Sequence, residues 1–279
     1  MPVMEEVDDD AAFRRHDNNH AGSTGREQSS EFIGQPQGAG FAAAANFLVS
    51  SKVDFCLWIS RMVTVVCSLF YLIPIYGPQS AHGFYQRAII CNGLTSALRL
   101  HQRMPSFQFN RIYLSLLLQE DSCHNLFFSL IFVNSHPITL ALTPPLLFAL
   151  LHASSFTKKT LNVIGPNSMY LVRKMVDKMI SNQSQILRFI ALDEIMIMPF
   201  LIFMVFTGRI NFLVPFMYFR FLTFRYGSRR NPYCKQIFHE LRIVTENYCS
   251  KPGTPPFLRN FLTKCIRMIS RFAPPVQQQ

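Results

Sequence analysis

The longest stretch without a charged side chain runs from residue 122 to residue 157 and reads SCHNLFFSLIFVNSHPITLALTPPLLFALLHASSFT, 36 residues in all. One transmembrane helix needs about 20 apolar residues, so the stretch is too long for one span and slightly short for two. Pro137 and the pair Pro144-Pro145 lie inside it, where a helix kinks or turns. The stretch therefore predicts apolar helices with a break between them.

A second apolar stretch precedes this one and a third follows it. The second, Met62 to Tyr76, ends at Gly77-Pro78, a pair that breaks a helix. The third, Ile195 to Gly208, is followed by Arg209. Charged residues make up 15% of the chain and Phe occurs 27 times, whereas a soluble domain has about 25% charged residues. The sequence therefore predicts an all-α integral membrane protein with three apolar segments, each a span or a re-entrant hairpin.

The charge of the intervening chain constrains the orientation of these segments. The linker from Arg87 to Arg111, the segment from Lys158 to Arg188 and the C-terminal tail are all basic, and Lys and Arg prefer the cytosolic side. Three single spans would place one of these basic parts in the lumen. We therefore favour three hairpins that enter and leave on the same side, with tips at Gly77-Pro78, Pro137 to Pro145 and Gly208-Arg209. Three conventional spans remain the alternative.

The chain divides into three parts by composition. Residues 1–51 carry 8 acidic and 3 basic side chains among many small polar residues, which predicts a disordered acidic tail. This tail lacks the basic and apolar regions of a cleaved signal peptide, so we expect internal segments to insert into the membrane. Residues 52–225 form the predicted polytopic helical domain. Residues 226–279 form a predicted cytosolic basic tail with an amphipathic helix at 257–272.

The helix predicted at 257–272 has one apolar half and one polar, basic half, and Pro-Pro pairs flank it at both ends. One interpretation packs it on another part of the same protein. We favour a helix that lies in the headgroup region with its basic half toward anionic lipid. A basic helix can also dock on a partner, including a transport receptor. The residues expected to make these contacts are Phe257, Leu258, Arg259, Phe261, Leu262, Lys264, Arg267, Ile269, Arg271 and Phe272.

Two acidic side chains, Asp193 and Glu194, lie at the mouth of the third apolar stretch. Acids near the membrane interior are costly and usually pair with a base. Arg188 lies about one and a half turns earlier, and Arg209 and Arg220 follow. We therefore favour a structural ion pair, with Asp193, Glu194 and Arg188 as the candidates, over a proton relay.

The segment from Glu120 to His124 contains residue types that carry chemistry. Glu120 and His124, at i and i+4, would share a helix face, whereas the adjacent Cys123 and His124 would point apart. The plain interpretation is a Glu–His contact at a helix end, and the alternative is a metal site or catalysis. A second alternative is a small transporter or channel that uses His124 together with Asp193 and Glu194.

No motif supports an enzyme or a cofactor site. The chain has no G-x-S-x-G, H-E-x-x-H, Walker or G-x-G-x-x-G pattern. Its 7 cysteines are scattered and never form C-x-x-C, which predicts neither a zinc site nor a disulfide framework. The basic, apolar body suggests an anionic bilayer as its partner rather than nucleic acid. We expect no catalytic residue, no cofactor and no metal.

Five stretches carry a resemblance to a known family. They read FYQRA (84–88), LTSALRLHQR (94–103), EDSCH (120–124), SLIFVNS (129–135) and, as the most specific, YFRFLT followed by RY and SRRNPYC between 218 and 234. These stretches resemble the transmembrane protein 33 family, which includes the Krüppel homologue 2 proteins and yeast pore-membrane relatives. The resemblance spans roughly residues 45–275, and the acidic tail departs from it.

The resemblance implies a multi-pass protein of the endoplasmic reticulum (ER) membrane and nuclear envelope. It implies reticulon-type partners, a role in organising tubular ER, and a link to nuclear pore assembly with nucleoporins or an import receptor as further partners. It also implies that the C-terminal basic helix contacts the membrane, and it implies no catalytic residue. The most specific stretch contains a basic hinge made of Arg225, Arg229, Arg230, Asn231 and Pro232.

Overall fold

The computed structural model describes residues 40–73, 77–104, 110–165, 169–228, 232–250, 255–257, 259–260, 262–264 and 267. Its regular elements in this part of the chain are all helices. They are α1 (Gly40–Ser50), α2 (Lys52–Leu72), α3 (Pro78–Arg103), α4 (Arg111–Gln119), α5 (Asp121–Phe132), α6 (Thr139–Ile164), α7 (Tyr170–Ser181), α8 (Gln183–Phe206), α9 (Leu213–Gly227) and α10 (Tyr233–Cys249). The all-α prediction is confirmed.

Helices α2 and α3 form the first hairpin. They pack antiparallel: the Tyr71 and Tyr85 rings are in contact near the turn, with centroids 5.5 Å apart, and the Ser60 hydroxyl lies 2.8 Å from the Thr95 hydroxyl further from the turn. Gly77, with a φ of 82°, precedes Pro78 at the start of α3. A positive φ favours glycine, and proline suits the first turn of a helix. The predicted break at Gly77-Pro78 therefore lies at the tip of this hairpin.

Helices α8 and α9 form the third hairpin, which turns between Thr207 and Phe212. Gly208 has a φ of 69°, a conformation that glycine adopts without strain. The Gly208 amide donates to the Val205 carbonyl and the Arg209 amide donates to the Met204 carbonyl, at 2.9 and 3.1 Å. These bonds end α8 and reverse the chain at the predicted Gly208-Arg209 break.

Helices α5 and α6 form the second pair, whose turn lies at Val133–Ile138. The chain does not turn at Pro144-Pro145, because both prolines lie inside α6, so only the Pro137 side of the predicted break is a tip. The two helices pack mainly on other hairpins: α5 packs on α3 and α9, and α6 packs on α2 and α8. The three pairs are therefore interleaved rather than laid side by side.

All three tips lie at the same end of the bundle, which we name the tip end. The Tyr71 hydroxyl of the first hairpin lies 3.2 Å from the Thr139 hydroxyl, at the start of α6. Phe132, at the end of α5, packs against Tyr218 near the start of α9. One apolar core joins the three hairpins there and includes Tyr85, Phe132, Ile138, Leu142, Leu201, Met204 and Tyr218.

The opposite end, which we name the base end, carries the remaining helices. Helix α1 lies inside the segment that the sequence assigns to the acidic tail, and it packs on α6 with Ala44 buried and Phe47 stacked on Phe156. An isolated helix of this length is marginal in water, so packing on α6 stabilises it. Helix α10 packs on α8 through Ile237, Ala191 and Ile195. The acidic residues of the predicted tail lie before Gly40, outside the described residues.

Three helices are long and apolar enough to cross a membrane, namely Lys52–Leu72, Thr139–Ile164 and Gln183–Phe206. Their 21, 26 and 24 residues correspond to about 31–39 Å at 1.5 Å per residue, which matches a hydrocarbon core of about 30 Å. Helix α8 begins well before the predicted apolar stretch at Ile195, because its first half packs on α10. The three predicted apolar segments are thus present as long helices.

Candidate functional site

Three hairpin helices bring charged side chains together inside the bundle. Arg225 lies in the last turn of α9, Asp121 in the first turn of α5, and Glu194 midway along α8. A cation at a helix C-terminus and an anion at a helix N-terminus both complement the helix dipole. We refer to Asp121, His124, Glu194, Arg225 and Ser228 as the Arg225 cluster.

Arg225 is the centre of this cluster. Its side chain is 1% exposed, and its Nε donates to Glu194 Oε2 at 3.1 Å, where the glutamate is also 1% exposed. Its Nη1 lies 3.6 Å from Asp121 Oδ1, an ion pair without hydrogen-bond geometry. The guanidinium also stacks over the Phe148 ring of α6, 5.2 Å from the centroid. One arginine thus joins four helices.

Neutral groups hold the two acids in place. The Ser228 hydroxyl donates to Asp121 Oδ1 at 2.9 Å, and the Tyr218 hydroxyl donates to the backbone carbonyl of Glu194 at 2.7 Å. Buried polar groups without partners are costly. These bonds therefore fix the positions in which Glu194 and Asp121 meet Arg225.

His124 lies at the edge of the cluster. Its Nε2 lies 2.8 Å from the Leu118 carbonyl oxygen, which can only accept, so Nε2 carries the proton. Its Nδ1 faces Asp121 Oδ1 at 3.8 Å, and its ring stacks on Phe224. The sequence predicts a contact with Glu120, but Glu120 precedes α5 and lies 3.8 Å from Arg103. His124 is therefore a packed residue of the cluster.

A metal site or a nucleophile would each place specific demands on the groups around Arg225. Among the described residues, no group of three or more His, Cys, Asp or Glu could hold a metal ion. Cys234, at the start of α10, lies near the cluster, and burial, followed by the charge of Glu194, raises the pKa of its thiol to about 12. A protonated thiol is a poor nucleophile. The geometry is that of a buried ion pair that holds helices together.

The predicted ion-pair residues do not all meet. Glu194 pairs with Arg225. Arg188 instead pairs with Glu240 of α10 at 2.7 Å, and both of these side chains are about half exposed. Asp193 is 8% exposed. Glu194 is paired with Arg225, and His124 is held by its hydrogen bond to the Leu118 carbonyl. This geometry gives no support to the hypothesis of a transporter that uses these residues.

The predicted hinge is only partly described. Arg225 is a buried residue of the cluster in the last turn of α9, and Pro232 is the residue before α10. Arg229, Arg230 and Asn231 lie outside the described residues. The sequence did not predict the pairing of Arg225 with Asp121 and Glu194, nor the hydrogen bonds of Ser228 to Asp121 and of Tyr218 to the Glu194 carbonyl. The signal was present, because EDSCH and YFRFLT–RY–S, two stretches that carry the resemblance, converge here.

The C-terminal contact residues are also only partly described. Phe257 is 82% exposed, Arg259, Lys264 and Arg267 are exposed, and Leu262 is half-buried; all five lie in helical backbone. The remaining predicted contact residues, Leu258, Phe261, Ile269, Arg271 and Phe272, lie outside the described residues. The amphipathic surface of this helix stays a prediction.

Large apolar side chains cover much of the bundle's exterior. Leu130 of α5, Phe203 and Phe206 of α8 and Leu213 of α9 are all more than half exposed. Contiguous exposed apolar surface is rare on soluble proteins, whereas a bilayer solvates it. The long helices, this exterior and the internal ion pairs define an all-α integral membrane protein built from helical hairpins.

Comparison with known proteins identifies the family. Residues 36–275 match the family described as Transmembrane protein 33/Nucleoporin POM33, and the chain belongs to that family. It is 52% identical over 241 residues to Transmembrane protein 33 of Rattus norvegicus and of Homo sapiens, which covers 86% of this chain and 96% of each relative. It is 37% identical over 228 residues to Krueppel homolog 2 of Drosophila melanogaster, covering 82% and 81%. No solved structure matches the chain.

Proposed function

We propose that this protein shapes or scaffolds the membrane of the tubular ER and the nuclear envelope, together with reticulon-type proteins, and takes part in nuclear pore organisation. The family description includes a nucleoporin, which supports the nuclear pore part of the proposal. The observation that carries the shaping role is the common end of the three hairpin tips. Each hairpin then enters and leaves the membrane on the same side.

The asymmetry of the fold supports this role. Within the described residues, α1, α4, α7 and α10 all lie toward the base end, with no counterpart at the tip end. A body that is wider in one leaflet favours a bilayer that curves around it. With the base end in the cytosol, this shape suits the outer surface of a tubule.

The predicted C-terminal helix adds to the same leaflet. Its basic side chains Arg259, Lys264 and Arg267 are exposed, and each would contribute about 1 kcal/mol near an anionic surface. The same residues are available to an acidic partner, such as a nucleoporin or an import receptor. Reticulon-type proteins would contact the apolar exterior of the hairpins within the bilayer.

Tubulation of liposomes by the purified full chain tests the shaping role. We expect the unchanged protein to form tubules, and Phe261→Glu with Ile269→Glu to reduce their number at least about fivefold, because charge on the apolar half removes the helix from the lipid. The matched control, Asn260→Glu with Ser270→Glu, adds the same charge to the polar half. Equal tubulation by both double variants would remove the helix from the mechanism, and no tubulation by the unchanged protein would refute the shaping role.

A reticulon-type protein in the same liposomes tests the partnership. We expect more tubules from the two proteins together than from the sum of the two alone at equal protein density. A strictly additive number of tubules would contradict the proposed cooperation with a reticulon-type protein.

A further inference from the structure

Helix α7, which connects the second hairpin to the third, is firmly attached to the end of α6. Arg173 Nη1 donates to Asn162 Oδ1 at 3.1 Å, and its Nη2 donates to the carbonyls of Leu161 and Gly165 at 2.9 and 3.0 Å. The Leu161 carbonyl also accepts from the Gly165 amide at 3.1 Å, and the Gly165 carbonyl lies directly after the end of α6, where carbonyls lack intrahelical donors. Arg173 therefore caps α6 and holds α7 against it.

Two further contacts fix the rotation of α7 about its axis. Lys158 Nζ of α6 lies 3.0 Å from Asp177 Oδ1, and Val176 is 7% exposed. Since Arg173, Val176 and Asp177 all face the bundle or its edge, the opposite face of the helix is held outward. The exposed face is thus a property of the fold.

That outward face is apolar and basic. Leu171 and Met175 are 74% and 70% exposed, and the exposed Lys174 and Lys178 lie between them and Tyr170, which is 71% exposed. At 100° per residue these five side chains occupy one continuous arc. The solvent-facing side of a helix is normally polar, so the adjacent exposed side chains of Leu171 and Met175 need an apolar environment.

The level of α7 along the bundle matches the headgroup region. Leu161, one of the Arg173 acceptors, is the 23rd residue of α6, which places it about 34 Å along the helix from the tip end. The hydrocarbon core is about 30 Å thick and the headgroups extend the bilayer to about 40–45 Å. The candidate spans α6 and α8 end and begin on either side of α7, so the chain cannot carry this helix far from the bilayer.

We propose that α7 is an interfacial helix that docks on the anionic surface of the membrane, with Leu171 and Met175 among the headgroups and Lys174 and Lys178 on lipid phosphates or carboxylates. Lipid is the occupant that the position argues for, because the spans on both sides hold the face at the bilayer. This surface is distinct from the C-terminal helix, and its docking does not depend on tubule formation.

Fluorescence quenching in liposomes tests the docking. In the full chain with Trp58→Phe, which removes its only tryptophan, Leu171→Trp reports on α7. His239→Trp, on the exposed charged face of α10, is the matched control. The vesicles contain phosphatidylcholine brominated near the headgroup and about 30% phosphatidylserine. We expect at least about twofold more quenching of the α7 tryptophan than of the control. Tyr170→Trp replaces Leu171→Trp if that variant does not fold.

Charge reversal tests the lipid preference. Lys174→Glu with Lys178→Glu should lower the α7 quenching to the level found in phosphatidylcholine alone, and the Lys→Arg pair should restore it. Equal quenching at α7 and at the α10 control would overturn the docking and would leave the face to a protein partner. Unchanged quenching after charge reversal would overturn the role of the lysines. Neither outcome depends on whether the protein forms tubules.

Discussion

The apolar core at the tip end of the hairpin bundle and the Arg225 cluster nearer its base are held together by different kinds of interaction. At the tip end, Phe132, Ile138, Leu142 and their neighbours form an apolar core in which each contact is small. Toward the base, the buried Arg225 joins Asp121 and Glu194. Apolar packing loses stability in proportion to the atoms removed, whereas a buried ion pair that loses one partner leaves an uncompensated charge. The Arg225 cluster should therefore tolerate far less change than the apolar core.

The largest effect is expected from Arg225→Leu. This change leaves Glu194 and Asp121 buried without their cation, which should cost about 3–5 kcal/mol of unfolding free energy. Thermal unfolding of the purified protein in detergent, followed by helical circular dichroism, measures the loss. Arg220→Leu, at an exposed position of the same helix, should change stability by less than about 0.5 kcal/mol. Equal unfolding temperatures for the two variants would contradict the role of the Arg225 cluster.

Conservative exchanges in the Arg225 cluster and in the apolar core sharpen the comparison. Arg225→Lys keeps the charge but cannot reproduce the two-sided contact with Glu194 and Asp121, and it should cost about 1.5–3 kcal/mol. Leu201→Met keeps the volume of a fully buried core residue at the tip end and should cost less than about 1.5 kcal/mol. The same detergent melts compare them. A Leu201→Met variant less stable than Arg225→Lys would contradict the expected difference between the apolar core and the Arg225 cluster.

A smaller effect is expected where the first and second hairpins approach closely. A Cβ at Gly93 of α3 would lie 3.2 Å from the Ser129 Cβ of α5, whereas a Cβ at Gly83 of the same helix meets nothing within 4 Å. Small residues allow such approaches between membrane helices. Gly93→Val should therefore destabilise the protein by about 1–3 kcal/mol more than Gly83→Val. Indistinguishable melts would mean that the two helices separate freely here.

Sequence reasoning reached the helical class, the long apolar segments and two of the three turns. Gly77-Pro78 and Gly208-Arg209 could be predicted because glycine and proline act locally on the backbone. The predicted break at Pro144 and Pro145 was wrong, because packing of α6 on α2 and α8 keeps both prolines inside a helix. Helix α1 was not predicted for a similar reason, because its stability comes from packing on α6.

The Arg225 cluster could not be derived from spacing. Arg225 is 31 residues from Glu194, and Ser228 is 107 residues from Asp121, so only the fold brings them together. The sequence placed Glu194 in an ion pair, but it offered Arg188 as a local base, and that arginine pairs with Glu240 on α10. Glu194 is buried, so its partner must be buried as well, and Arg225 meets this condition.

The common orientation of the hairpins is measured most directly by cysteine accessibility in intact ER vesicles. In a cysteine-free full chain, single cysteines replace Asn167, between α6 and α7, and His136, an exposed residue at the tip of the second hairpin. We expect a membrane-impermeant thiol reagent added from the cytosolic side to label the Asn167 position and to leave the His136 position unlabelled. Labelling of the Asn167 position only after permeabilisation would place the α6–α7 linker in the lumen and would contradict the three-hairpin arrangement.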